Sequence, residues 1–227
     1  MISVVIPTLN AEASLPRTFD CLIQATVRGL VREVIVADGG SDDGTVMLAD
    51  AVGARIVSAA RGRGLQLTAG ADAARSDWLL FLHADTALEP GWEAEAEAFI
   101  ERSSVERPRA GAFRFALDDF GFGARMLERM ARLRCFLLGL PYGDQGLLIS
   151  RRHYNRIGGY QALPLIEDLD IVRRIGRRRL VLLRSCAVTG AERFRKDGHI
   201  GRALRNLSVL TLYALRVPAR VLAKLYG

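Results

Sequence analysis

Trp78-Leu79-Leu80-Phe81-Leu82-His83-Ala84-Asp85-Thr86 is the stretch on which the reading of this chain turns. Five consecutive apolar residues with polar neighbours form the pattern of a short buried strand. Asp85 stands just past its carboxyl end, where open α/β sheets bind their ligands. A carboxylate there can hold a divalent metal against phosphates. An Asp after a strand is also a common turn former, so the weight of Asp85 depends on what lies around it.

Working upstream, Ile2-Ser3-Val4-Val5-Ile6 reads as a strand ended by Pro7. A helix follows from about residue 13, with Pro16 in its first turn and Leu15, Phe19, Leu22 and Ile23 on one face. Val34-Ile35-Val36-Ala37 is a second strand, followed by a helix over about Gly44 to Val52, a strand near Arg55 to Val57 and a helix over Leu65 to Ala74. This strand–helix alternation predicts an α/β fold with a mostly parallel sheet and helices on both faces. Downstream, the pattern predicts helices over Trp92–Ile100, Phe122–Leu138 and Glu167–Arg177, and strands over Ala112–Leu117, Gly146–Ser150 and Leu180–Leu183. In the second of these helices Met126, Met130, Leu133 and Leu137 share one face, and Arg125, Glu128, Arg129 and Arg132 the other. Arg202 to Tyr226 forms a basic amphipathic segment, interrupted by Pro218. It either packs on the core with a solvated basic face or lies on an anionic membrane surface.

The 227 residues suit one domain with a small appendage, and half of them are apolar. Cys21, Cys135 and Cys186 form no CxxC pair, which suggests neither a zinc ribbon nor a disulfide framework and points to a reducing compartment. The chain enters a strand pattern at once and has no apolar run near the roughly 20 residues of a membrane span. The expectation is a cytoplasmic protein, peripheral on the inner membrane face if the basic segment binds lipid. The net charge of +7 favours anionic partners, and arginine suits bidentate phosphate contacts. A nucleic-acid binder is disfavoured, because the motifs and interleaved aromatics of that class are missing.

Four clusters follow strands. Pro7-Thr8-Leu9-Asn10-Ala11-Glu12 offers small polar groups and a helix start for a base and ribose. Val36 to Thr45 reads VADGGSDDGT, in which Asp38 can accept a hydrogen bond from a base or ribose while Gly39 and Gly40 permit close approach. Arg61-Gly62-Arg63-Gly64-Leu65-Gln66 opens a helix and makes a phosphate cradle that is neither a Walker loop nor a GxGxxG fingerprint. The fourth cluster is the Asp85 segment. Each has an ordinary turn or capping role as its competing account.

Taken in order, these clusters resemble the family 2 glycosyltransferases of the GT-A fold over roughly residues 2–190. SVVIPTLNAE looks like that family's first strand and nucleotide loop, and VADGGSDDGT like its VVDDGSTDGT. HAD stands where the family has DxD, and Ile166-Glu167-Asp168 looks like its ED motif. A closer resemblance is to the arsenosugar-biosynthesis-type, or radical-SAM/selenodomain-associated, subgroup. Arg61 to Gln66, FLHADT, Gly143-Asp144-Gln145 and the final Lys224-Leu225-Tyr226-Gly227 carry it. Two departures stand out: His83 replaces the first Asp of DxD, and Gly39 replaces a second Asp after Asp38.

The resemblance implies an inverting transfer from a nucleotide-diphosphate sugar, with uridine as the family's usual base, to a hydroxyl on a lipid, a saccharide or a small metabolite. Residues 1–200 would form the transferase domain, nucleotide-binding to about 88 and acceptor-binding beyond, with 201–227 as the tail. Asp168 would be the base, with Glu167 orienting the acceptor. Pro7, Thr8, Asn10, Glu12, Asp38, Arg63, Gln66 and Asp85 would bind the donor, and Asp85 would hold Mn²⁺ or Mg²⁺. His83 and His199 are further metal candidates. Asp144 and Gln145, and the basic cluster Arg193, Arg195 and Lys196 around Phe194, would serve the acceptor or the diphosphate. The alternatives are a nucleotidyltransferase, which would want a Gly- and Arg-rich loop after the first strand, and a decayed nucleotide-sugar-binding protein, against which Asp85 and Asp168 stand.

Overall fold

The computed structural model describes residues 1–103, 106–141, 144–163 and 166–190. Residues 191–227 lie outside this set, and with them Arg193, Phe194, Arg195, Lys196, His199 and the basic segment. In chain order the elements are β1 (Ile2–Thr8), α1 (Leu15–Asp20), α2 (Ile23–Val27), β2 (Val31–Asp38), α3 (Thr45–Ala51), β3 (Arg55–Ser58), α4 (Arg63–Ala73), β4 (Trp78–Phe81), β5 (Thr86–Leu88), α5 (Trp92–Arg102), β6 (Ala110–Leu117), α6 (Phe122–Leu138), β7 (Leu147–Ser150), α7 (Arg151–Arg156), α8 (Glu167–Ile175) and β8 (Leu180–Thr189). Among the described residues no helix is long and apolar enough to cross a membrane.

The strands form one eight-stranded sheet in the order β3-β2-β1-β4-β7-β6-β8-β5. The first four are mutually parallel, as the alternating pattern requires. Beyond them the sheet is mixed. β7 runs antiparallel to both β4 and β6, β8 is parallel to β6, and β5 closes the edge antiparallel to β8. β7 enters from the same end at which β4 leaves, so it runs back along β4 and brings Asp144 beside the Asp85 segment. Side-chain alternation explains the two cores. Val4, Ile6, Leu80 and Leu82 point to the face covered by α1, α2, α3 and α5. Val5, Leu79 and Phe81 point to the face covered by α4, α7 and α8.

The helix expected from residue 13 is split in two, ending at Asp20 and resuming at Ile23. A larger departure is α6. Its buried residues are Ala124, Glu128, Ala131 and Cys135, whereas Met126, Met130 and Leu133 are exposed along with Arg125, Arg129 and Arg132. The side chain of Leu137 lies outside the described residues. Glu128, expected on the outer face, turns inward because its carboxylate accepts from Leu117 N at 3.0 Å and pairs with Arg125 at 2.8 Å.

Candidate active site

The first two strand-end loops are bonded to each other. Thr8 Oγ1 donates to Asp38 Oδ1 at 2.9 Å and Ser41 Oγ donates to the same oxygen at 2.5 Å. The amides of Gly40 and Ser41 each donate to Oδ2 at 2.9 Å. Burial pulls the Asp38 carboxyl upward, but the bonds from Ser41, Thr8 and Gly40 outweigh it and hold the group below the ordinary carboxylate range. A carboxylate has about four acceptor positions, so the chain itself occupies those of Asp38. In this arrangement Asp38 organises the loop expected to meet the base and ribose.

Asn10, in the left-handed region at φ 51°, accepts from Asp42 N at 3.0 Å and donates its own amide to Ser41 Oγ at 2.9 Å. Glu12 accepts from Gly44 N at 2.9 Å. Pro7 and Thr8 are the last residues of β1, paired with Ala37 and Asp38.

Gln66 is buried, with its amide nitrogen donating to Thr8 O at 2.5 Å and Ala37 O at 3.1 Å. It ties together the ends of β1 and β2 and so acts as a brace between the two loops. It also accounts for Gly39. A Cβ at that position would lie 2.9 Å from Gln66 Nε2. The space that a second Asp side chain would enter is filled from α4.

The acidic groups converge. Ligand atoms of His83, Asp85 and Asp144 lie within 4.8 Å of one another. His83 Nδ1 is 2.8 Å from Asp144 Oδ1, and Nε2 is 3.5 Å from Asp168 Oδ2. Burial and the Arg63 charge push the His83 imidazole down, but Asp144 and Asp168 outweigh both and raise it to about 10. In that charged form both ring nitrogens carry protons and offer no lone pair. One imidazole and two carboxylates are a donor set that suits Mn²⁺.

Arg63 Nη1 pairs with Glu167 Oε1 at 3.3 Å. Burial pushes the guanidinium down, but the charges of Glu167, Asp168, Asp144 and Asp85 together push it up. Glu167 is almost fully buried, and burial followed by the Asp168 charge raises its carboxyl above the usual range. Glu167 is thus the buried partner of Arg63. Gln145 is also held within the chain. Its amide donates to Phe113 O at 2.8 Å and its carbonyl accepts from Arg134 Nη2 at 3.0 Å.

Tyr160 has no counterpart in the sequence reading. Its hydroxyl donates to Asp168 Oδ1 at 3.2 Å. Its ring sits edge-on to Phe81 at 4.9 Å, and its amide donates to the Tyr154 hydroxyl at 3.0 Å. Burial, followed by the Asp168 charge, pushes the phenol well above its usual range, so it remains a donor. Ile166, just before the Glu167–Asp168 pair, is left-handed at φ 66°, a strained state for a β-branched residue. A cavity of about 20 Å³ lies between His83, Asp168, Tyr160, Phe81 and Leu67, with room for a single water.

Residues 3–106 match the family model described as glycosyl transferase family 2. Over this segment the chain is similar to the family 2 glycosyltransferases. The PGL/p-HBAD biosynthesis glycosyltransferase of Mycobacterium bovis (strain BCG / Pasteur 1173P2) is 36% identical over 108 residues, 44% of this chain and 41% of that protein. Glucosyl-3-phosphoglycerate synthase of Mycobacterium tuberculosis is 53% identical over 57 residues, 25% of this chain and 17% of that one. The chain therefore spans less than half the length of these relatives. The crystal structure of the latter enzyme with Mn²⁺, UDP and glucosyl-3-phosphoglycerate superposes with a TM-score of 0.58 at 25% identity, covering 84% of this chain and 70% of that one. Staphylococcus aureus TarS 1–349 superposes with a TM-score of 0.63 at 16% identity over 93% of this chain and 65% of that one, a likeness of fold. The fold of the described residues is of the GT-A type.

Proposed function

We propose that the chain is an inverting, metal-dependent glycosyltransferase that moves a sugar from a UDP-linked donor to a hydroxyl acceptor. The observation that carries this reading is the meeting of Asp85, Asp144 and Asp168 around one imidazole, His83, at the strand ends. The Mn²⁺ and UDP complexes of the similar synthase support the donor class. Held by Asp85 and Asp144, with His83 beside them, a divalent cation would neutralise charge on the departing diphosphate. Arg63, kept in place by Glu167, adds a second positive group for that diphosphate.

Asp168 is the base. Tyr160 donates to Oδ1 and His83 Nε2 stands 3.5 Å from Oδ2, so the two orient the carboxylate that would meet the acceptor hydroxyl. The acceptor oxygen bonds to the anomeric carbon while the bond from that carbon to the diphosphate oxygen breaks. The electron pair leaves on UDP and the proton passes to Asp168. A single displacement inverts the anomeric centre. On this reading residues 1–88 serve the donor and residues 89–200 the acceptor. The arsenosugar-type subgroup is supported by FLHADT and the Arg61–Gln66 stretch. A cytoplasmic, membrane-peripheral setting is supported by the basic character of residues 202–226.

The test is calorimetric titration of UDP with and without Mn²⁺, paired with sugar transfer. UDP affinity should strengthen with Mn²⁺ in the wild-type chain and lose that dependence in Asp85→Asn. Asp168→Asn should abolish transfer and leave UDP affinity within about twofold, since the base contributes to the chemical step rather than to donor binding. An equal loss of both in Asp168→Asn would remove it from the base role.

A further inference from the structure

The amphipathicity of α6 is inverted relative to the fold. Small residues, Ala124, Ala131 and Cys135, face the sheet, and the large apolar ones face out. Phe122 is 80% exposed, Met126 45%, Met130 46% and Leu133 56%, and Phe120 just before the helix is 87% exposed. At 100° per residue the four helical side chains fall on one stripe opposite the buried one. Single exposed apolar residues are ordinary on a protein surface, but a contiguous row of this kind marks an interaction site.

Charge identifies what the row fits. Arg125, Arg129 and Arg132 are exposed beside it, and the one carboxylate of the helix, Glu128, is buried against Leu117 N. The outer side of α6 thus presents apolar groups flanked by cations and no anion. A second copy of the chain meeting this face by two-fold symmetry would set arginine against arginine. The chain's own segment 202–226 carries Arg205, Arg216, Arg220 and Lys224, so it brings the same conflict.

We infer that the outer face of α6 is a docking surface for an anionic lipid bilayer, with Phe122, Met126, Met130 and Leu133 entering the headgroup boundary and Arg129 and Arg132 meeting lipid phosphates, while Arg125 stays paired with Glu128. The helix is tied to the site. Arg134 donates to Leu140 O at 3.1 Å and to Gln145 Oε1 at 3.0 Å, next to Asp144. The inference rests on the exposed face alone and stands independently of the transfer chemistry.

The experiment is co-sedimentation of the full chain with phosphatidylcholine vesicles, with and without phosphatidylglycerol. Three variants are compared with wild type: Met126→Ser/Met130→Ser/Leu133→Ser, Arg129→Glu/Arg132→Glu, and Arg216→Glu/Arg220→Glu/Lys224→Glu. Wild type should bind the anionic vesicles and release with salt. Each exposed arginine contributes roughly a fivefold factor in partitioning, so the helix double variant should lose about 25-fold or more. The serine variant should lose at least about tenfold. Both should keep the wild-type melting temperature and elution volume. The inference is overturned if wild type binds neither vesicle, or if both helix variants bind as wild type does. A serine variant that melts markedly lower, which would mean the row is packed within the chain, or that turns an oligomer into a monomer, also overturns it.

Discussion

Gly39→Ala, alone and combined with Gln66→Ala, tests whether the missing second Asp is a consequence of packing. The added Cβ would stand 2.9 Å from Gln66 Nε2 and 3.1 Å from its Cδ. An ordinary contact needs about half an ångström more, so the amide must retreat. The end of a glutamine usually moves at little cost, but this one is buried and donates to Thr8 O and Ala37 O. Retreat breaks at least one of those bonds, a loss of about 1 kcal/mol, or up to about 3 if a buried carbonyl is left unpaired. Against this, Ala restricts the unfolded chain and gains about 0.4–1 kcal/mol where the backbone allows it, and Gly39 is not in the left-handed region. The steric term wins: Gly39→Ala should destabilise by roughly 0.5–2 kcal/mol in the wild-type background. With Gln66→Ala the obstruction is gone, and the same change should be neutral or slightly stabilising. The cycle should give a coupling of about 1–2 kcal/mol, read from urea unfolding by circular dichroism. Equal costs of Gly39→Ala in both backgrounds would refute the packing account and leave the glycine to a ligand's closeness.

Asp38→Asn should lower stability at neutral pH by an amount that shrinks in acid. The folded carboxyl titrates below its unfolded value of about 3.9, so its stabilisation is complete above that pH and fades as pH falls through the folded value. Urea midpoints of the two proteins should keep a constant gap from neutral pH to about 5 and converge below about 4; a gap unchanged in strong acid would deny the carboxylate its role. Tyr160→Phe should lower turnover roughly three- to tenfold through a less well oriented Asp168, with UDP affinity unchanged. A proportional rise in the donor KM instead would mean that Tyr160 serves binding.

Much of the donor half was legible because its signals are local. The apolar run Trp78–Leu82 followed by Asp85 gave β4 and a site carboxylate, and VADGGSDDGT gave the second loop. What sequence could not give was direction. The periodicity of α6 separates Met126, Met130 and Leu133 from Ala124 and Ala131, but not which side faces the sheet; close approach to β6 selects the small residues. Gln145 carries the composition of a ligand contact, yet lies in a strand-entry turn that points it at Phe113 and Arg134. Tyr160 reaches Asp168 only because the chain between them reverses at Ile166 in a conformation foreign to isoleucine. β5 is three residues long, and its pairing with the end of β8 carries that strand to Thr189, beyond the expected Leu183.

α4 explains why the two halves of the site act as one. Within its first two turns, Arg63 reaches Glu167, and Gln66 pins the ends of β1 and β2. The Thr68 hydroxyl lies 3.2 Å from Tyr160 O. Gly64 sits so close to the Tyr160 loop that a Cβ would stand 2.2 Å from Gln161 O. The strand-end loops and the tyrosine that bonds Asp168 are therefore fixed to the same short rigid rod. A shift of that rod cannot alter one set without altering the other, because interiors at this density transmit displacement rather than absorb it. The chain thus sets its first two strand-end loops and Tyr160 in register by packing alone, and the glycine at position 64 is what lets the two meet.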